Sequence, residues 1–212
     1  MMDPATIIIF VLILLFSVIF HEVAHGLVAD KLGDPTARYA GRLTLNPIPH
    51  IDIVWSILLP AILIFIGSPF IFGAAKPVPV DYRNFKNLKR DMLLVALVGP
   101  LANLLLAVLA ALTIRLTPGL SGLGETLLMQ TVVLNVVLAM FNLIPIPPLD
   151  GSKVLTSLLG FINRSYMYWM FDLERYGFII LIILLFTGLL GSIITPPVDF
   201  FLRLFLGSGA RL

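Results

Sequence analysis

Hydrophobic residues run along this chain in blocks of about twenty with few polar interruptions, the length an α-helix needs to cross the hydrocarbon core of a bilayer. Four blocks are clear, at residues 5–30, 92–116, 126–144 and 177–195, and each predicts a transmembrane helix. A fifth, Ile53 to Phe72, carries Pro60 in its middle and a Gly67-Ser68-Pro69 break. Proline removes a backbone donor and clashes with the preceding turn, so this run either crosses as a broken helix or dips in and returns. Between the first block and the broken run, Thr36 to Asp52 alternates Thr, Tyr and Leu with polar residues and ends on Asn-Pro. That pattern predicts one or two short strands at the membrane surface, whose open edge near Arg42–Asn46 could hold an extended peptide. From Pro196 onward, an apolar face with single charges predicts an interfacial helix. The expected fold is therefore an all-α polytopic membrane protein: four transmembrane helices, one re-entrant or broken segment and a short surface β hairpin.

Composition supports this placement. The chain is 59% hydrophobic and 12% charged over 212 residues, far more apolar than a soluble domain. No linker or repeat divides it, so residues 1–212 are expected to form one domain with its core at about 5–160. The first block lacks a positive start and leads into His21 and Glu22 instead of a small-residue cleavage site, so it is expected to stay as a helix. The absence of cysteine excludes disulfides, thiolate ligands and a cysteine nucleophile.

Fourteen basic against twelve acidic residues give a net charge of +2, too small a surplus to point to nucleic acid. The charge bears instead on topology. If Ile53–Phe72 crosses, the basic residues divide eight against six. If it returns, Lys31, Arg38, Arg42, Lys76, Arg83, Lys86, Lys89, Arg90, Lys153, Arg164 and Arg175 share one side, against Arg115, Arg203 and Arg211. Eleven against three satisfies the positive-inside rule better. The expected topology has both termini outside and four crossings.

Candidate chemistry sits in the first helix. His21 and His25 are four apart, so they share one face, with Glu22 beside them. His-Glu-x-x-His is a zinc motif with a mechanism: two imidazoles bind the ion and the adjacent carboxylate takes a proton from the attacking water. Ionisable groups inside a membrane are costly and usually functional, and no Lys or Arg precedes Lys31 to neutralise Glu22. A catalytic zinc needs a third protein ligand. The candidates are Asp150, at the end of the proline-broken "FNLIPIPPLDG", with His50 and Asp52 as runners-up. In the re-entrant topology, the end of the first helix and the end of the 126–144 span lie on one side, where His21, His25 and Asp150 can converge. Asp81 and Asp91, among Arg83, Lys86 and Lys89, read as solvated loop charges.

With "HEVAH" at 21–25, "GPLAN" at 99–103 and "NLIPIPPLDG" at 142–151, the chain resembles the site-2 protease family of intramembrane zinc metalloproteases, in its compact prokaryotic branch without PDZ or CBS domains. The resemblance implies one Zn²⁺ held by His21, His25 and Asp150, with Glu22 as catalytic acid/base. It also implies a prokaryotic cell membrane with the site toward the cytoplasm, and transmembrane protein substrates embedded in the lipid bilayer. The Ile53–Phe72 insertion departs from the simplest three-helix core of that family.

Other polar residues fall in with this reading. Asn142 is placed to bond the substrate or the developing oxyanion, or else to cap freed backbone. His50 is placed to line the approach. Asn103, one turn after Gly99, is a candidate for substrate contact or for interhelical bonding, and Asn135 reads as structural. Gly151 is expected to permit the turn that aims Asp150. Two rival readings predict other patterns: a metal transporter needs ligands at several depths along a path, and a non-catalytic scaffold would have an altered Glu22. A topology reporter fused near residue 45 is expected to read cytoplasmic, and an extracytoplasmic signal would overturn the charge-based topology.

Overall fold

The computed structural model describes residues 4–58, 62, 65, 75–117 and 119–207. Three of the four expected spans form close to their sequence boundaries, as α1 (Pro4–Lys31), α3 (Leu88–Leu116) and α4 (Leu123–Asn142). The fourth expected span, 177–195, is divided. Helix α6 (Arg164–Phe186) ends before Gly188, whose φ of 74° terminates it in a left-handed cap. Helix α7 (Leu189–Leu206) then begins, and it is the fourth helix long and apolar enough to cross a membrane.

The C-terminal segment from Pro196, expected as an interfacial helix, is therefore the second half of a longer helix that begins at Leu189. Pro196 and Pro197 lie inside α7, and Val198 and Leu202 are buried in the main core. That core joins Ala107, Ala110 and Ala111 of α3 to Val132, Val136, Ala139 and Met140 of α4. Without water to expel, helices in lipid associate by close packing, and the alanines of α3 let α4 approach. Arg115 donates to the carbonyl of Leu204, so α3 and α7 end together.

No strand is present among the described residues. In place of the expected hairpin, Thr36–Tyr39 form a single helical turn, α2, and Ile48–His50 form a 3₁₀ turn. Local side-chain bonds compete successfully with a ladder here. The Asn46 amide donates to Thr44 Oγ1, and Ile48 N–H donates to Asn46 Oδ1, while Pro35, Pro47 and Pro49 have no N–H to contribute. Of the Ile53–Phe72 segment, Ile53–Leu58 form one wide helical turn, and its expected re-entry lies outside the described residues.

Helix α5 (Asp150–Ile162) follows the proline run and starts hard against the end of α4. A Cβ on Gly151 would stand 2.2 Å from the Leu143 carbonyl oxygen and 2.4 Å from that of Ile144. Close backbone approach is thus what this glycine permits, and its φ is not positive. At its other end α5 returns to the start of α3, where Lys89 lies over the Phe161 ring. Asp91 is not solvated either: it is fully buried, accepting from the Asn87 amide and from Arg90 while Asn87 Oδ1 accepts from Arg90 N–H. This reciprocal pair fixes the start of α3.

The turn after α1 is built on Asp34, also fully buried. It accepts from the amide and hydroxyl of Thr36, from Asp81 N–H at 2.7 Å and from Asn84 Nδ2 at 2.7 Å. Burial opposes its ionisation, yet these donors together hold its carboxyl below the ordinary carboxylate range. Its contribution to stability is present above the unfolded-state pKa and is lost as pH falls through the lower folded value. Asp34→Ala is expected to cost about 1–3 kcal/mol by leaving buried donors unpaired, read as a lowered unfolding midpoint in detergent. That difference from wild type should shrink on acidification.

Candidate metal centre

Three elements meet around one buried point. Helix α1 presents His21 and His25 one turn apart, α5 begins at Asp150, and the first half of α3 closes the site from behind. The residues are 5%, 7% and 6% exposed, which removes water as a general partner for their polar atoms. His21 Nε2 and His25 Nε2 are 3.0 Å apart, and each lies 3.1 Å from Asp150 Oδ2.

The other nitrogen of each ring decides what those atoms are. His25 Nδ1 lies 2.6 Å from the Val95 carbonyl oxygen, and His21 Nδ1 lies 2.6 Å from Asn103 Oδ1. Both partners only accept, so both Nδ1 atoms carry protons and donate. In the neutral rings Nε2 is then bare. Two nitrogen lone pairs and a carboxylate oxygen face one another in a low-dielectric site, an arrangement that repels itself unless a cation sits among them.

The donor set suits zinc. Ligands of a tetrahedral zinc at about 2.0–2.1 Å stand about 3.3–3.4 Å from one another, within a few tenths of an ångström of the separations found here. His21, His25 and Asp150 are the group among the described residues placed to hold such an ion, and each of their other polar atoms is engaged. The second oxygen of Asp150 faces Lys153 Nζ at 3.6 Å. Such partners orient ligands and tune their basicity.

Glycine at position 99 makes room for the rings. A Cβ there would fall 2.3 Å from His25 Nε2 and 2.6 Å from His21 Cε1. Glu22, beside the ligands and partly exposed, accepts a 2.7 Å bond from Val78 N–H at Oε2, which leaves Oε1 free of that contact. Val78 belongs to the Ala75–Val80 segment, which crosses α1 over Gly26, where a Cβ would meet Val78 Cγ1 at 2.8 Å.

The remaining candidates lie elsewhere. His50 is fully buried, but its Nε2–H donates to the Thr44 carbonyl and its own carbonyl accepts from Lys76 N–H, so it ties the 42–50 loop to the 75–80 segment. Arg42 donates to the Lys76 carbonyl in the same junction. Asn142 donates to the Leu138 carbonyl within its own helix, the backbone-satisfying alternative. Asn103 stands behind His21, with its amide turned to Asn135 and Ser17. Sequence reasoning missed Ser17 and Val78. Ser17 had a readable signal, since 17, 21 and 25 repeat every four residues along one helix face. Val78 acts through its backbone, which no side-chain motif reports.

Known proteins resemble this chain over most of its length. The sequence model described as Peptidase family M50 matches residues 119–186, a stretch that contains Asp150. A Bacillus subtilis (strain 168) protein named "Putative zinc metalloprotease YwhC" is 37% identical over 197 residues, covering 89% of this chain and 85% of the relative. "Putative zinc metalloprotease Rip2" of Mycolicibacterium smegmatis is 30% identical, over 84% of this chain and 68% of its own. "Putative zinc metalloprotease MJ0611" of Methanocaldococcus jannaschii is 32% identical, over 72% of this chain and 74% of its own. No solved structure matches the chain.

Because the imidazoles occupy the space a side chain at position 99 would need, Gly99→Ala is expected to weaken zinc binding by about 10-fold or more. Metal content after chelator challenge reads this out. Unchanged retention with an intact helical circular-dichroism spectrum would mean that the rings do not sit where the cation binds.

Proposed function

The chain belongs to peptidase family M50, the site-2 proteases, and on that footing we propose that His21, His25 and Asp150 hold the zinc of an intramembrane endopeptidase in which Glu22 is the acid/base. It is a zinc metalloprotease carried on membrane-spanning helices, and membrane proteins are its substrates. The observation that carries the residue assignment is the meeting of three unprotonated donors at one buried point.

When bound, zinc supplies the Lewis acidity that activates water and polarises a carbonyl. The chain supplies the rest. Two imidazoles and one carboxylate as ligands leave a fourth position for the reactants, as catalytic zinc sites require. Glu22, anchored at Oε2 by Val78 N–H, takes the proton of the attacking water at its other oxygen and returns it to the departing amine. A helical substrate hides its carbonyls in backbone hydrogen bonds, so a transmembrane substrate must unwind locally before attack. The segment near Arg42–Asn46 is not a strand and offers no edge for that purpose.

The site opens toward the cytoplasm in this reading. Along α1, His25 and His21 precede Lys31 by about 9 and 15 Å, so they lie within the apolar length of the helix yet close to its charged end. Lys76, Arg83, Lys86, Lys89 and Arg90 accumulate at that end, between α1 and α3, in keeping with the positive-inside rule. Packing that continues from α1 through α3 and α4 to α7 supports one domain.

Glu22→Gln is expected to retain zinc and to lower cleavage of a membrane-embedded substrate by about 10²–10⁴-fold, the usual weight of general acid–base catalysis. Asp150→Asn should release zinc more readily, while His50→Ala should leave metal content unchanged. Turnover by Glu22→Gln, or zinc loss from His50→Ala equal to that from Asp150→Asn, would overturn these roles.

A further inference from the structure

His25 is oriented by a main-chain carbonyl, but His21 is oriented by an amide, and an amide can face two ways. We propose that Asn135 and Ser17, neither of which touches the side chain of a metal ligand, fix the metal-binding tautomer of His21 through a one-way hydrogen-bond relay that passes through Asn103. The proposal rests on the reading of His21 as a zinc ligand and assigns three positioning residues behind it.

Direction in the relay comes from fixed acceptors. The Thr131 carbonyl can only accept, so it selects the Nδ2 side of Asn135, at 2.9 Å; the second Nδ2 hydrogen goes to Ser17 Oγ at 2.8 Å. Asn135 Oδ1 is thereby turned to α3, where it accepts from Asn103 Nδ2 at 2.8 Å. The other hydrogen of that Nδ2 points to the Ser17 carbonyl at 3.3 Å, a second fixed acceptor. Only Asn103 Oδ1 then remains for His21, at 2.6 Å, so His21 must donate from Nδ1 and leave Nε2 bare.

Both side-chain amides of the relay have every N–H and oxygen engaged, and Asn103 and Asn135 are both 0% exposed, with Ser17 at 1%. Reversing Asn103 would set its oxygen against Asn135 Oδ1 and the Ser17 carbonyl while its NH₂ met His21 Nδ1. Two acceptor pairs would then face each other where no water can intervene, and His21 would carry its proton on Nε2, toward the other ligands. Three helices meet in the relay: Ser17 and His21 on α1, Asn103 on α3, Thr131 and Asn135 on α4.

The chain has three histidines, which makes the tautomers directly readable by nitrogen NMR on protein with ¹⁵N-labelled histidine, purified metal-free in lipid nanodiscs and held at alkaline pH so that no proton replaces the cation and the rings stay neutral. Wild type is expected to show the Nδ1–H form for His21 and His25 and the Nε2–H form for His50, whose Nε2 donates to Thr44. Asn135→Leu, which keeps the branched outline, and Asn135→Ala, which shortens it, should both move His21 toward the Nε2–H form while His25 stays unchanged. Zinc affinity, measured by competition with a chromophoric chelator, should fall by about 10-fold, as loss of outer partners does elsewhere. In an Asn103→Asp background the Asn135 substitutions should lose this effect, since a carboxylate accepts whichever way it faces.

An unchanged His21 tautomer in whichever Asn135 variant folds would overturn the relay. So would equal changes at His21 and His25, which would report general loosening of the bundle. Failure of wild type to bind one zinc per chain would instead count against the zinc site itself, and it leaves the metal-free tautomer measurement able to decide the relay.

Discussion

Three electron-pair donors that share no proton, packed within about 3 Å of one another in an apolar bundle, form the constraint around which the rest of this structure is arranged. Such a cluster is unfavourable alone and becomes favourable only around a cation, so it must be assembled by forces that do not come from the cluster. Those forces are visible nearby. Gly99 removes the side chain that would occupy the ring positions, and Gly151 lets α5 press against the carbonyls that end α4. The alanine face of α3 packs α4 close enough for both helices to serve the same site. Each is a packing device in a medium where packing, not water release, drives association.

Depth is the second consequence. A site about two to three helical turns inside the charged end of α1 is dry enough to strengthen electrostatic interactions, yet near enough to that end for water to arrive. Glu22 fits this boundary position. It is partly exposed while the ligands are buried, and it is anchored by a backbone N–H from a segment outside the helices. Pro77 and Pro79 on either side of Val78 have no N–H, so the single donor at that point of the segment is the one turned to Glu22.

The parts of this architecture that were legible in the sequence are those written in side-chain type and period. Twenty-residue apolar blocks gave α1, α3 and α4 to within about four residues, and the spacing of His21 and His25 put them on one face. Asp150 was singled out by the proline run before it. What failed were elements decided by backbone satisfaction. Thr36 to Asp52 has a strand-like alternation, but Asp34, Thr44 and Asn46 bond the local backbone more cheaply than a distant strand would. At Gly188 a residue that looks like one more small member of an apolar run adopts a positive φ and divides a span. Asp91 looked solvated among bases, yet it caps a helix from a buried position.

The two histidines also show why polar residues recur at one level of three apolar helices. His25 reaches a main-chain acceptor on α3, the Val95 carbonyl, which neighbours the Ala96 carbonyl that Pro100 leaves without its helical donor. Deeper in the bundle, at the level of His21, the acceptor on α3 is a side chain, Asn103 Oδ1. An asparagine in that place brings an NH₂ group that buried helix faces cannot leave unpaired. Asn135 and the Ser17 carbonyl answer that requirement, and the hydroxyl of Ser17 answers the one that Asn135 creates. One ligand placed a turn farther from the membrane surface thus entails a chain of buried polar residues, ending only where main-chain carbonyls can close it.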